Sequence, residues 1–437
     1  MDDFIQRTEG DFFERALAAF RRGLRAEPAA NDEDAMMRIV DLVFRDEAAA
    51  RYSVQELDGM IRKLFYKTRC RLGILQPLME DPSVTEIMVN GPQDIFIERG
   101  GKLERCPMTF DSLEELEDIM RNIAAQVHRE INEMQPIVDA RLEDGSRVNG
   151  VYRNVAVNGP ILTIRKFSEN FLTLKSLTGS GTVTETGAQL LACLVECGYN
   201  IFVSGGTSSG KTTLLNALSE HIPAGERVIV IEDSSELKLT CVENIVHLEC
   251  RNSNAAGKGQ VTMSQLLKSS LRMRPDRIIV GEVRGSEVLD MLQALNTGHS
   301  GMSTGHGNSV EGMLRRLETM YMMAMPLHID AVRAQIAEAL DIMVHVEKLE
   351  GGRRRVVEIT EIEGFENGKF LLNPLLKRQD GGNLLPTGNW LKHDRKALWK
   401  GEQHVQKLRN LGFLPAGSGR SAGCIAVGRD CDRMAVL

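Results

Sequence analysis

Four short stretches of this sequence carry residues whose types and spacing suit phosphate chemistry. The run Gly205-Gly206-Thr207-Ser208-Ser209-Gly210-Lys211-Thr212 fits the pattern G-x-x-x-x-G-K-[ST]. In such a loop the glycines let successive backbone amides turn toward phosphate oxygens. An apolar run precedes it and a helical run, with Thr213 near its start, follows, so the helix aims the positive end of its dipole at the same anion. Lys211 is expected to meet the β- and γ-phosphates of a nucleoside triphosphate, and Thr212 to ligate Mg2+.

Further along, Arg277-Ile278-Ile279-Val280-Gly281-Glu282 gives a second apolar strand ending in an acid, where a Walker B carboxylate belongs. Gly281 replaces the usual preceding aspartate, so Mg2+ is expected to be held through Glu282 by way of water. Between the two, Val228-Ile229-Val230-Ile231 delivers Glu232 and Asp233 to the carboxyl edge of a parallel sheet, where α/β enzymes bind ligands. Glu232 is the candidate general base for an attacking water, with a structural or capping role as its alternative. Residues 297–309, rich in Gly, Ser and Thr, read as a tight loop rather than a core and carry His299 and His306. Taken alone, either histidine is more readily a packing or surface residue than a functional one.

For these residues to meet, apolar strands must lie side by side and end at one edge. Asn200 to Val203, Arg227 to Ile231 and Arg277 to Val280 alternate with helical patterns, as a mostly parallel, helix-covered sheet requires. The predicted fold is α/β, with a RecA-like P-loop catalytic domain over 187–375. Upstream, β-rich runs at Thr85 to Val89 and Asp94 to Glu98 are divided by Asn90-Gly91-Pro92 and Gly100-Gly101. With a helical segment from Ser112 to His128 and strand-like Arg147 to Tyr152 and Ile161 to Phe167, they predict a small α/β, PAS-like domain over 76–177. Residues 1–75 read as a helical region in which Phe13, Leu17, Phe20 and Leu24 share one face and Pro28 closes the helix. That stripe either packs on its own domain or docks a partner. Residues 178–186 are expected to be a linker, and 376–437, Gly-rich from Pro415, a partly disordered extension.

Composition narrows the function classes. A chain of 437 residues, 42% hydrophobic and 26% charged, can bury more than one core. Its apolar runs are strand-sized, short of the roughly 18 residues a membrane-crossing helix needs. The amino terminus lacks the basic flank and apolar run of a signal peptide, so a cytoplasmic location is expected. Cys193 and Cys197 stand at helical spacing, and Cys241, His247 and Cys250 match no zinc signature, so reduced thiols are expected. The net charge of -7 argues against stable nucleic-acid binding, although it permits a local basic channel. No guanine-reading NKxD-type motif is present.

In their order and spacing, the P-loop, the Glu232 segment, the Gly281-Glu282 strand and the 297–309 loop resemble the Walker A, Asp box, atypical Walker B and His box of a known family. It is the ATPase superfamily serving type II and type IV secretion and type IV pili. The strings Ser83-Val84-Thr85-Glu86-Ile87-Met88-Val89-Asn90-Gly91, Asp144-Gly145-Ser146-Arg147-Val148-Asn149 and Leu271-Arg272-Met273-Arg274-Pro275-Asp276 are similar to its CpaF branch, which serves tight-adherence (Flp/Tad) pili. The resemblance spans residues 60 to 375. It implies an ATP hydrolase using Mg2+, assembled as a homohexamer, with nucleotide between the amino-terminal α/β domain and the catalytic domain. It further implies that His306 senses the γ-phosphate and that Arg147 and Arg165 approach it, although on sequence alone each arginine is equally a surface residue of a strand. The implied partner is an inner-membrane platform protein, which would hold the motor peripherally at the inner face of the membrane. A conjugation or DNA-uptake motor of the same superfamily would share every catalytic residue. A helicase-like nucleic-acid motor is the more distant alternative.

Overall fold

The computed structural model describes residues 2–26, 29–127, 129–167, 172–251, 253, 258–379 and 382–416. Pro28, His128 and the tail after Ala416 lie outside the described residues. Two compact units part at residues 170 and 171.

The first unit opens with helices α1 (Asp2–Ala26), α2 (Asp32–Arg45) and α3 (Val54–Arg69). Phe13, Leu17 and Phe20 are buried in one cluster with Ile39, Val43, Ile61 and Leu64, so the apolar stripe of α1 packs on its own bundle. A reciprocal cap between Ser53 and Glu56 fixes the start of α3. After the short α4 (Gln76–Glu80) come β1 (Val84–Asn90), β2 (Ile95–Arg99), β3 (Lys102–Cys106), α5 (Leu113–Gln126), β4 (Ile137–Arg141), β5 (Arg147–Val151) and β6 (Ile161–Arg165). The strands form one antiparallel sheet in the order β3-β2-β1-β6-β5-β4. Ile87, Val89, Leu162 and Ile164 face a core completed by Leu116, Met120 and Ile123 of α5.

The second unit runs through α6 (Leu174–Gly179), α7 (Glu185–Glu196), β7 (Ile201–Gly205), α8 (Lys211–Ser219), β8 (Val228–Glu232) and β9 (Ile245–Glu249). It continues with α9 (Met263–Ser270), β10 (Arg277–Val280), α10 (Val288–Asn296), β11 (Ser300–His306), α11 (Val310–Ala324), α12 (Ile329–Ala339) and β12 (Ile342–Lys348). β13 (Arg354–Glu366), β14 (Lys369–Arg378), β15 (Leu384–Pro386), α13 (Arg395–Lys400) and α14 (Glu402–Asn410) complete it. One sheet has the order β15-β14-β13-β12-β7-β11-β10-β8-β9. Neighbours are parallel from β9 through β12 and antiparallel from β12 through β15. β7, β8 and β10 are buried along their whole length, which is why they read as unbroken apolar runs.

Three expectations change. Residues 178–186 do not form an open linker: α6 ends and α7 begins within them, and Val183 is buried in the catalytic core with Leu174 and Leu177. The expected loop at 297–309 is largely β11, between β7 and β10 in the sheet. Its small residues reflect crowding, since a methyl group on Gly305 would come within 2.8 Å of Met313 and 2.9 Å of Phe202. The catalytic unit also does not end at 375, because β14 crosses that position and Leu391, Ala397, Val405, Leu408 and Phe413 join its core. Buried Glu361 ties this segment down by accepting the Lys392 and His393 amides. Among the described residues no helix is long and apolar enough to cross a membrane.

Candidate active site

β7 carries the chain to Gly205, where the P-loop begins. Ser208 (φ 56) and Gly210 (φ 95) take left-handed backbone, curling the loop, and α8 starts at Lys211 with no side-chain cap. The first amides of α8 are therefore left for an anion. Thr212 and Thr213 stand in that first turn, half-buried and exposed respectively. Lys211 is only 7% exposed. Its ammonium donates to the Gly206 carbonyl at 2.9 Å and lies 3.4 Å from His306 Nδ1.

β8 and β10 run parallel with Ile231 opposite Val280, so their acids emerge at one edge. Glu232 is buried, and its Oε1 accepts the amides of Glu236 at 2.9 Å and Leu237 at 3.1 Å. These bonds wrap the following segment around the carboxylate and fix its direction. A Cβ at position 281 would come within 2.8 Å of Glu232 Cγ. The absence of a Walker B aspartate is thus steric: the stem of Glu232 fills the space a side chain at 281 would need.

Glu282 follows directly. Its Oε1 lies 2.8 Å from His306 Nε2, and its Oε2 accepts from Arg284 at 2.6 and 2.9 Å. Arg284 also stands 3.6 Å from Asp233. Burial holds the His306 imidazole below its ordinary range, with Glu282 opposing that shift and Lys211 reinforcing it. Its Nδ1 faces the Lys211 ammonium, and its Nε2 lies close to Glu282 Oε1 without an aligned hydrogen bond. Lys211, His306, Glu282 and Arg284 form one line of contacts along the sheet edge. His299 is not part of it, since its Nδ1 lies 3.1 Å from the Ala294 carbonyl at the end of α10.

In the first unit, Arg147 of β5 lies directly opposite Arg165 of β6. The row continues to Arg141 on β4 and Glu86 on β1. Directly opposed like charges cost stability, and Glu86 opposite Arg165 offsets part of that cost. Arg141 escaped the sequence reading, although it and Arg147 flank the turn at Asp144-Gly145, and a hairpin there sets them face to face.

Residues 70–360 match the family described as type II/IV secretion system protein. The chain belongs to that family. A conjugal transfer protein TrbB from Rhizobium radiobacter is 36% identical over 67% of this chain and 88% of its own length. The type IV secretion system protein PtlH of Bordetella pertussis is 34% identical over 67% of this chain and 95% of its own. Among solved structures, the pilus retraction motor PilT with bound ADP superposes with a TM-score of 0.50 at 20% identity, covering 78% of this chain and 88% of that one, and shares the fold. This secretion ATPase is accordingly an ATP-hydrolysing enzyme.

The residues at the sheet edge fit Mg2+. Thr212 and Glu282 offer the hard oxygen donors this ion takes, usually one or two carboxylates completed by substrate phosphates. Glu282 Oε1 is buried and makes no aligned hydrogen bond; the His306 contact is short but poorly directed. A lone pair is thus left for a metal or its water. When bound, the ion would neutralise charge developing on the phosphates. Sequence reasoning missed two further residues. Arg284 is legible as a base two positions from Glu282. His345, which sits 2.9 Å from Ser204 Oγ beneath the P-loop, leaves no local signal.

Proposed function

We propose that this secretion ATPase is a Mg2+-dependent motor that works as a ring of six and powers pilus assembly or protein secretion through an inner-membrane platform protein. The loop amides and Lys211 hold the phosphates, Thr212 and Glu282 place the metal, and Glu232 activates water. His306 reports the γ-phosphate, and Arg147 and Arg165 stabilise it during transfer. The observation that carries the reading is the line Lys211, His306, Glu282, which joins phosphate-holding, sensing and metal-holding groups at one sheet edge. The strings at 83–91, 144–149 and 271–276 favour the tight-adherence pilus branch.

The conjugal transfer relatives favour a second reading, a motor for DNA transfer, built on the same site. Replacing the chromosomal copy by Lys211→Ala separates them: loss of surface pili with plasmid transfer intact supports the pilus reading, and the reverse supports the second. Unchanged ATP hydrolysis by purified Lys211→Ala would overturn the site itself. Light scattering with a non-hydrolysable ATP analogue and platform protein tests the ring, and a persistent monomer refutes it.

A further inference from the structure

Arg354 opens β13 far from the P-loop in sequence, yet its Nε donates to the Ser208 carbonyl at 3.0 Å. We propose that Arg354 is a positioning residue for nucleotide binding, one that sets the Ser208–Ser209 peptide so that its amide faces the phosphates. The inference rests on the P-loop taking ATP.

The carbonyl and N–H of one trans peptide point in opposite directions, and no described peptide bond is cis. A guanidinium holding the Ser208 oxygen from outside therefore turns the Ser209 N–H to the other side of the loop. There it meets the Gly206 carbonyl at 3.4 Å, the same oxygen that the Lys211 ammonium holds at 2.9 Å. The Ser209 amide thus lies on the lysine side of the loop, in a long bond that a phosphate oxygen can replace.

The peptide needs such a hold. Ser208 has φ 56, a left-handed conformation that residues with side chains seldom adopt without surrounding support. Arg354 is exposed and contributes no core packing, and its stem runs past Gly210, where an added Cβ would come 3.2 Å from Arg354 Cδ. Its base is fixed relative to the loop, because Arg354 pairs with Lys348 of β12, and β12 is bonded along β7.

Three variants of the full chain separate this role from direct charge on phosphate. Gln carries a donor nitrogen the same number of bonds from Cα as Arg Nε, whereas Lys carries a methylene there and keeps the charge. Calorimetric titration with ADP and a non-hydrolysable ATP analogue should show Arg354→Ala and Arg354→Lys weakening both ligands alike, about tenfold, with Arg354→Gln within about threefold of the parent. KM for ATP should rise by the same factor while kcat falls less. Parental ADP affinity in Arg354→Ala, a Lys variant that outbinds the Gln variant, or a loss much larger for the analogue than for ADP would overturn the proposal. The Lys and Gln contrast decides even if the Ala variant folds poorly. Failure of the P-loop reading would show separately, as unchanged nucleotide affinity in Lys211→Ala.

Discussion

Adding one methyl group at Gly281 tests whether Glu232 is held in a working position. The new Cβ would lie 2.8 Å from Glu232 Cγ and 3.2 Å from its Oε1. Carbon atoms settle at about 3.5–4.0 Å, so the carboxylate or β10 must move by roughly 1 Å. Glu232 cannot swing aside freely, because the amides of Glu236 and Leu237 hold it. A displacement of that size costs about a hundredfold in rate, or about 2.7 kcal/mol of barrier. Overpacking should also cost about 1–3 kcal/mol of stability. Steady-state hydrolysis at saturating MgATP, measured alongside ADP affinity and thermal midpoint, reads these separately. Gly281→Ala should lose about a hundredfold in kcat while binding ADP within about threefold of the parent, since position 281 lies outside the P-loop. Gly281→Asp, which restores the ordinary Walker B letter, should be no better. A Gly281→Ala enzyme with parental kcat would refute the reasoning, because Glu232 could then be moved without consequence.

Glu232→Gln and Glu282→Gln should each abolish turnover yet keep ATP binding within about tenfold, checked by calorimetry, because each acid acts on water or metal more than on nucleotide. Arg147→Ala and Arg165→Ala should each lower turnover at least about tenfold, roughly 1.4 kcal/mol of barrier, with ADP affinity nearly unchanged; full activity in both would sink their proposed role. Burial holds His345 below its ordinary pKa of 6.5. The unfolded chain therefore takes up that proton first, and stability, full above 6.5, falls as pH drops toward the lowered folded value, by at most about 1.4 kcal/mol per pH unit. Thermal melts from pH 8 to 5.5 should show this decline, shared with His247 and His306, and His345→Gln should flatten part of it.

Much of the catalytic fold was legible because its strands are buried on both faces, so each left an unbroken apolar run ending near a functional residue. β11 hid because its burial is achieved with Gly, Ser and Thr; at Gly305 the small size is required by Met313 and Phe202, residues of other elements. The segment after 375 hid for a related reason: its few apolar residues are spread thinly and become a pattern only when set into the core of the catalytic unit.

By itself the sequence determined what is local. It set the curl of the P-loop, the helix that follows it, and the acids at the ends of β8 and β10, because each depends on covalent neighbours and periodicity. Tertiary structure alone decided which of these groups meet. The parallel register of β8 and β10 puts Glu232 where a side chain at 281 would stand. Placing β11 between β7 and β10 carries His306 to both Lys211 and Glu282. The pairing of β12 with β7 and β13 brings Arg354 to the P-loop. Such contacts depend on strand order and register, which the chain sets only by burying all of its apolar faces at once.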